Sequence, residues 1–124
     1  MGESFKMLQK KPKRIAIYVI FDKDGILDGY RKYYLQELRK DVDYIVGVVS
    51  GTLSPESRED LTTLTDEFFV RENKGLLAGS WIDGINYIGW DKLYSFDELL
   101  MLNDSFFGPF YPLKDMFEHM ESTD

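Results

Sequence analysis

Short apolar runs alternate along this chain with longer segments of mixed polarity. Four runs are rich in β-branched, aromatic or leucine residues, and they predict buried strands at residues 15–21, 44–49, 67–71 and 99–102. Each run stops at polar or glycine residues, which is typical of strands that enter loops. The pattern therefore predicts a sheet of about four strands.

The segments between the strands carry apolar residues at helical spacing. The first predicted helix covers residues 30–38, and the second begins at Ser54, an N-cap hydroxyl followed by Pro55. A third helix carries Trp81 and Ile88. Strands and helices that alternate with short connections predict an α/β fold, with a doubly wound, mostly parallel sheet and helices on both faces.

The distribution of charge divides the chain into three parts. We expect a flexible basic arm at residues 1–13, an α/β domain at residues 14–121 that is the N-terminal portion of a larger protein, and a short tail at 122–124. A net charge of −7 argues against nucleic acid as a partner, because such binding needs a basic surface. The arm could contact anionic lipid at a membrane surface.

The composition also bears on compartment and chemistry. There are no cysteines, which excludes disulfides and thiolate sites and fits a reducing compartment. No apolar run approaches the roughly 20 residues that span a bilayer, and the arm lacks the apolar core of a secretory signal. We therefore expect a cytoplasmic protein, with possible peripheral contact at the cytoplasmic face of the membrane.

Polar side chains that follow the predicted strands are the candidate site residues, because ligands of open α/β sheets bind beyond the carboxyl ends of strands. They are Asp22, Asp24, Glu72, Asn73, Asn103 and Asp104. An alternative interpretation is structural: the Asp and Asn side chains would form turns by bonding to their own backbone, and Glu72 would make a surface ion pair.

The segment after Asp104 is rich in aromatic residues and turns at a Gly-Pro pair. We interpret it as a loop that leads to a helix starting near Pro112. Its aromatic residues either pack the loop down or stack on a base or sugar; they are Phe106, Phe107, Phe110 and Tyr111.

The first strand and its loop look like the opening motif of haloacid dehalogenase-type phosphatases. In that family the residue at Asp22 would be the nucleophile and the residue at Asp24 the acid/base. Ser50, Lys74 and Asp104 could supply the later motifs, with Asp104 binding magnesium. A second acid close after Asp104 is lacking, so this interpretation is incomplete.

A different resemblance covers most of the chain, from about residue 13 to residue 120. Five segments carry it in order: Asp22-Lys23-Asp24-Gly25-Ile26, Arg71-Glu72-Asn73-Lys74-Gly75, Gly89-Trp90-Asp91-Lys92-Leu93, Phe96-Asp97-Glu98, and Asn103 to Gly108-Pro109 with Tyr111-Pro112 and Met116-Phe117-Glu118. Together they resemble the N-terminal part of the rhamnan synthesis F family of bacterial polysaccharide-assembly glycosyltransferases.

The resemblance implies a sugar-nucleotide-dependent glycosyltransferase, with rhamnosyl transfer from dTDP-rhamnose to a glycan or lipid-linked acceptor. It implies a sheet like the nucleotide-binding half of the A-type glycosyltransferase fold. Asp104 would be the catalytic acid that holds Mg²⁺ or Mn²⁺. The nucleotide would contact the remaining candidates, which are Asp22, Asp24, Glu72, Asn73 and Asn103.

One departure from the family pattern bears on activity. Leu76-Leu77 stands where the family usually has an aromatic or apolar residue followed by an aspartate. If that carboxylate is catalytic or binds metal, the protein is inactive, altered in substrate or a binding remnant. A third class, a non-catalytic interaction module, stays open because helices rich in Tyr and Phe can form partner surfaces. Large exposed apolar patches would favour that alternative.

Overall fold

Strands and helices alternate along the chain as the hydrophobic pattern predicts. A computed structural model describes residues 11–72, 77–103 and 106–113. The strands are β1 (Arg14–Asp22), β2 (Tyr44–Gly51), β3 (Glu67–Arg71), β4 (Glu98–Asn103) and β5 (Phe106–Pro112). The helices are α1 (Gly29–Leu38), α2 (Pro55–Leu64), α3 (Leu77–Ile88) and α4 (Trp90–Leu93). The short helix α4 was not anticipated from the sequence.

The strands form one sheet in the order β3-β2-β1-β4-β5. The first four strands in that order are mutually parallel, and β5 pairs with β4 in the antiparallel sense. Strand order proceeds from β1 to β3 in one direction and then resumes with β4 on the other side of β1. The predicted doubly wound, mostly parallel α/β sheet is therefore confirmed.

The prediction of a loop after residue 104 was wrong. Phe106, Phe107, Phe110 and Tyr111 belong to strand β5, which runs along the free edge of β4. Pro112 is the last residue of that strand, and Leu113 directly after it is helical, so a helix does begin near Pro112. The remainder of that helix lies outside the described residues, as do residues 1–10 of the predicted arm and the tail.

Each face of the sheet packs against its own pair of helices. On one face, Tyr18 and Ile20 of β1 join a core cluster with Leu35 of α1 and Leu61 of α2. On the other face, alternate residues of β1 join a second cluster that includes Leu93 of α4. Burying each such side chain contributes about 1.5–3 kcal/mol. Hydrophobic burial on both faces thus fixes the helices against the sheet.

A glycine lets α3 lie close to the sheet. A Cβ atom on Gly84 would come within 2.9 Å of a methyl of Ile17 and 3.2 Å of a methyl of Val48. Both partners are fully buried side chains in the second core cluster. Any side chain at this position would push the helix away from β1 and β2.

An ion pair with a tyrosine joins α4 to the amino ends of β2 and β3. The Nζ atom of Lys92 donates to Glu67 Oε2 at 2.6 Å and to the Tyr44 hydroxyl at 2.7 Å. Tyr44 also donates its hydroxyl hydrogen to Glu67. Glu67, followed by Tyr44, raises the pKa of Lys92 above its usual range, so the ammonium stays charged.

Side chains cap the two helices that begin after the carboxyl ends of β1 and β2. Asp28 Oδ1 accepts from the backbone N–H of Arg31 at 2.9 Å, and Ser54 Oγ accepts from that of Ser57 at 3.2 Å. The predicted N-cap at Ser54 and the proline that follows it are confirmed. Within the described ranges, no helix combines the length and hydropathy needed to cross a membrane.

Candidate functional site

The carboxyl ends of the four parallel strands meet along one side of the sheet, which we call the carboxyl edge. It is formed by Asp22 of β1, Gly51 of β2, Arg71 of β3 and Asn103 of β4. Strand order reverses between β1 and β4, and ligands of doubly wound sheets bind in the crevice at such a reversal. The fold therefore makes this edge the candidate site.

The structure brings only some of the predicted site residues to the centre of this edge. Asp22 ends β1 and Asn103 ends the neighbouring β4, where it lies in register with Val19. Glu72 follows β3 and is exposed. It is two strands from β1, roughly 10 Å across the sheet. Glu72 would therefore contact a different part of a ligand from Asp22.

Two predicted residues cannot be placed. Asn73 and Asp104, the latter predicted to hold the metal, lie outside the described residues. In the part of the chain that is described, no group of three Asp, Glu or His side chains could hold a metal ion. The metal site therefore stays a prediction.

The carboxylate of Asp22 organises the loop between β1 and α1. Its Oδ2 atom accepts from the backbone N–H groups of Asp24 and Ile26, each at 3.0 Å, and its Oδ1 atom lies 3.3 Å from an Arg31 nitrogen. The backbone N–H of Ile26, with that of Asp24 and the guanidinium of Arg31, lowers the pKa of Asp22 below its usual value of 3.8, against the effect of burial. The geometry favours the turn role for Asp22 over that of a phosphatase nucleophile.

Asp24 is exposed on the same loop, which packs against the loop that follows β2. The backbone N–H of Ser54 donates to the carbonyl of Gly25 at 2.8 Å, and that of Leu27 donates to Ser57 Oγ at 2.7 Å. Gly25 has a φ of +71°, and a Cβ there would lie 2.8 Å from backbone atoms of the neighbouring loop. The Asp24 carboxylate is thus presented from a closely packed turn.

On the α3 side of the carboxyl edge, the buried apolar side chains give way to polar side chains in β2, β3 and β4 and to an exposed phenylalanine in β1. Val19, Val48 and Phe69 belong to the core cluster beneath α3. Side chains two residues further along a strand lie on the same face, and they are Phe21, Ser50, Arg71 and, after Met101 of β4, Asn103. We call these four residues the edge row.

The register of the sheet aligns three members of the edge row across neighbouring strands. Phe21 pairs with Ser50, and Ser50 pairs with Arg71. Phe21 is 51% exposed, although it continues a buried strand. Its ring lies next to the buried Ser50, with Arg71 one strand further on and Asn103 on the other side of β1. A partly exposed ring within a row of polar groups is suited to binding a ligand that has both planar and polar parts.

Arg71 is attached to α3 by its side chain. Its Nε atom lies 2.7 Å from Asp83 Oδ2, and its guanidinium also donates to Ser80 Oγ. Only 13% of the Arg71 side chain is exposed. Packing against α3 therefore holds a positive charge at the end of β3.

Sequence reasoning gave no role to Phe21, Arg31 or Arg71. Arg71 stood inside a motif that carried the family resemblance, and Arg31 stood inside the first helical pattern. Alternate residues of a strand share a face. Counting two residues on from Val19 and from Phe69 therefore finds Phe21 and Arg71. No local signal pairs Arg31 with Asp22, nine residues earlier.

Two surface clefts lie at the opposite, amino edge of the sheet. Their volumes are about 340 and 480 Å³, and Lys11, Pro12 and Asp43 line both. Arg14, which also lines the first, forms an ion pair with Glu98 at 2.7 Å. Because ligands of doubly wound sheets bind at the carboxyl edge, we do not assign the site to these clefts.

Most of the described sheet lies in a segment that matches a known protein family. Residues 45–124 match the family described as rhamnan synthesis protein F. The chain belongs to this family. Two curated relatives, both named Virulence protein VirA and both from Vibrio anguillarum, one from strain ATCC 68554 / 775, are 35% identical over 104 residues. The alignment covers 79% of this chain but 32% of each relative, and no solved structure matches the chain.

Membership in the rhamnan synthesis protein F family connects the chain with rhamnan and polysaccharide synthesis. The family match begins within β2, so it includes Ser50, Arg71, Glu72 and Asn103. Strand β1 and its loop with Asp22 precede the match. The edge row on β2, β3 and β4 is therefore the part of the candidate site that the family match covers.

Proposed function

We propose that this chain is the nucleotide-binding portion of a sugar-nucleotide-dependent glycosyltransferase, and that the enzyme transfers rhamnose in the synthesis of a surface or cell-wall polysaccharide. Family membership supports the polysaccharide context. The observation that carries the proposal is the reversal of strand order between β1 and β4, with polar side chains at both carboxyl ends.

The residues at the carboxyl edge have chemistry suited to a nucleoside diphosphate-sugar. The ring of Phe21 can stack on a base or a sugar face, and the Asn103 amide can both donate and accept hydrogen bonds. The carboxylates of Asp24 and Glu72 can accept from ribose or sugar hydroxyls. Asp104 remains the residue that we propose to bind a divalent cation on the departing diphosphate.

The acceptor in this proposal is a glycan or a lipid-linked sugar. Transfer requires that an acceptor hydroxyl loses its proton as the bond from the sugar to the diphosphate breaks. Because the chain spans about a third of the length of its curated relatives, the acceptor side of the reaction is proposed for the whole protein.

A nucleotide titration tests the proposal directly. The ¹⁵N-labelled chain would be titrated with dTDP and dTDP-rhamnose, with and without Mg²⁺ or Mn²⁺, while amide shifts are followed. We expect saturable shifts at Asp22 to Ile26, Arg71 and Asn103. Shifts that are absent at millimolar nucleotide would refute the proposal and favour a non-catalytic interaction module.

A pair of asparagine variants provides the matched control. Asn103→Ala removes an amide from the carboxyl edge and should weaken dTDP binding by about tenfold, as expected for the loss of one or two hydrogen bonds. Asn86→Ala removes an amide from an exposed position in the last turn of α3. It should leave the affinity unchanged, and equal effects of the two variants would contradict the proposed location.

A further inference from the structure

The side chain of Arg31 crosses beneath the loop that joins β1 to α1. Its NH2 atom donates to the carbonyl of Phe21 at 2.8 Å, and its NH1 atom donates to the carbonyl of Ile26 at 3.2 Å and to Asp22 Oδ1 at 3.3 Å. Only 12% of the side chain is exposed. One guanidinium group therefore joins the start of the loop to a point five residues later.

The hydrogen bonds of Arg31 and those of Asp22 together hold the loop closed. The other oxygen of Asp22 accepts from the backbone N–H groups of Asp24 and Ile26. Asp28 caps the N–H of Arg31 itself, which fixes the start of the helix that carries the guanidinium. The set links the backbone of Phe21 to that of Ile26, with Asp24 between them.

We propose that Arg31 is a positioning residue, which holds the β1–α1 loop so that Asp24 and the ring of Phe21 are oriented toward a ligand at the carboxyl edge. The ligand part of this inference rests on the proposed function. Arg31 acts through the two carbonyls and the carboxylate that it binds, and the nucleotide is not among its partners.

The residue type at position 31 matters for geometric reasons. A planar guanidinium can donate in several fixed directions and so can reach three acceptors at once. A lysine keeps the positive charge but concentrates it on one nitrogen at the end of a flexible chain. Arg31→Lys should therefore keep the charge beside Asp22 and lose the connection between Phe21 and Ile26.

Other contacts keep the loop attached when Arg31 is replaced. The N–H of Gly25 donates to the Asp22 carbonyl at 3.0 Å, and the Gly25 carbonyl accepts from Ser54. Leu27 is buried and donates its N–H to Ser57. The change should therefore be local, with altered geometry at Asp24 and Ile26 and little change in overall folding.

The test uses Arg31→Lys, Arg31→Met and a control on the next residue. Lys32 forms an ion pair with Asp60 at 2.9 Å, with its side chain 42% exposed, so Lys32→Met also removes a charge from α1. We expect both Arg31 variants to increase hydrogen exchange at the amide of Ile26. We also expect Arg31→Met to raise the pKa of Asp22, measured by carboxyl NMR, whereas Lys32→Met changes neither quantity.

The nucleotide measurement separates this inference from the proposed function. If the wild-type protein binds dTDP, both Arg31 variants should bind it about tenfold more weakly, as expected for a displaced contact group, and Lys32→Met should not. Unchanged amide exchange at Ile26, or unchanged affinity in both Arg31 variants, would overturn the inference. If the exchange increases but the wild type binds no nucleotide, the proposed function fails and Arg31 stands as the residue that fixes the loop.

Discussion

Replacing Gly25 by alanine tests how closely the two loops at the carboxyl edge are packed. Gly25 has a φ of +71°, a conformation that an L side chain adopts only with strain. An added Cβ would lie 2.8 Å from the backbone N of Leu53 and 2.8 Å from the carbonyl carbon of Thr52. These are backbone atoms, so the contact cannot be relieved by turning a side chain.

Three effects set the size of the loss. The left-handed conformation costs alanine about 1–2 kcal/mol, and forced contacts in a packed region cost about 1–3 kcal/mol. If the loops separate instead, the bond from Ser54 N–H to the Gly25 carbonyl is lost, which costs about 1 kcal/mol. Because separation relieves the contact, we expect Gly25→Ala to lower the free energy of unfolding by about 2–3 kcal/mol, from the strain and the lost bond.

Gly29→Ala is the matched control for this variant. Gly29 begins α1, its φ is not positive, and nothing lies within 4 Å of an added Cβ. Alanine there should stabilise the protein by about 0.4–1 kcal/mol through helix propensity and a less flexible unfolded chain. Urea unfolding followed by circular dichroism measures both variants. A Gly25→Ala variant as stable as Gly29→Ala would refute the packing argument.

Three further predictions concern the core, the amino edge and acid pH. Gly84→Ala should destabilise by about 1–2 kcal/mol in urea unfolding, because contact with a β1 methyl outweighs the gain in helix propensity; unchanged stability would mean that α3 can move outward freely. Lys92→Met should cost about 0.5–1 kcal/mol, since the Lys92 side chain that pairs with Glu67 is 44% exposed, and no loss would contradict a stabilising pair. Because the folded-state pKa of Asp22 is lowered, its contribution to stability is present above 3.8 and is lost as pH falls through the lowered value; an Asp22 carboxyl that titrates at or above 3.8 by NMR would contradict this.

The central strands were predictable because both of their faces are buried. Strands β1 and β2 each contain six consecutive buried residues. A parallel strand covered by helices on both faces reads as a continuous apolar run, which is a strong local signal. Ser54 with Pro55 was equally clear, because an N-cap acts through its own neighbours along the chain.

Strand β5 could not be predicted in the same way. Gly108 and Pro109 lie within it, and both residues usually indicate a turn. The register of β4 and β5 shifts between Leu100 and Leu102, at the point where Gly108 and Pro109 fall. An edge strand hydrogen-bonds on one side only and can tolerate a proline at such an irregularity. The pairing with β4, which the local sequence does not encode, makes this segment a strand.

The candidate site shows the same division between local and long-range information. The turn that Asp22 forms with Asp24 and Ile26 is local, and it was among the alternatives considered from the sequence. The contact of Arg71 with α3 depends on the packing of that helix over the sheet. The contact of Arg31 with β1 depends on how α1 returns across it. Both arginines therefore became recognisable only in the folded chain.

The charges at the carboxyl edge bear on how a nucleoside diphosphate could bind there. The guanidinium groups of Arg31 and Arg71 each lie beside a carboxylate, so neither brings an uncompensated positive charge. Asp24 and Glu72 add two exposed carboxylates, and Lys23 adds one exposed amine.

An anionic diphosphate placed among these described groups would meet no surplus of positive charge, which disfavours binding unless a cation compensates for it. We therefore expect dTDP binding to require Mg²⁺ or Mn²⁺ and to be lost when EDTA is added. The nucleoside thymidine, which lacks the phosphates, should show no such requirement. Equal dTDP affinity with and without the divalent ion would mean that positive groups beyond those described here compensate the diphosphate, and the charge argument would be wrong.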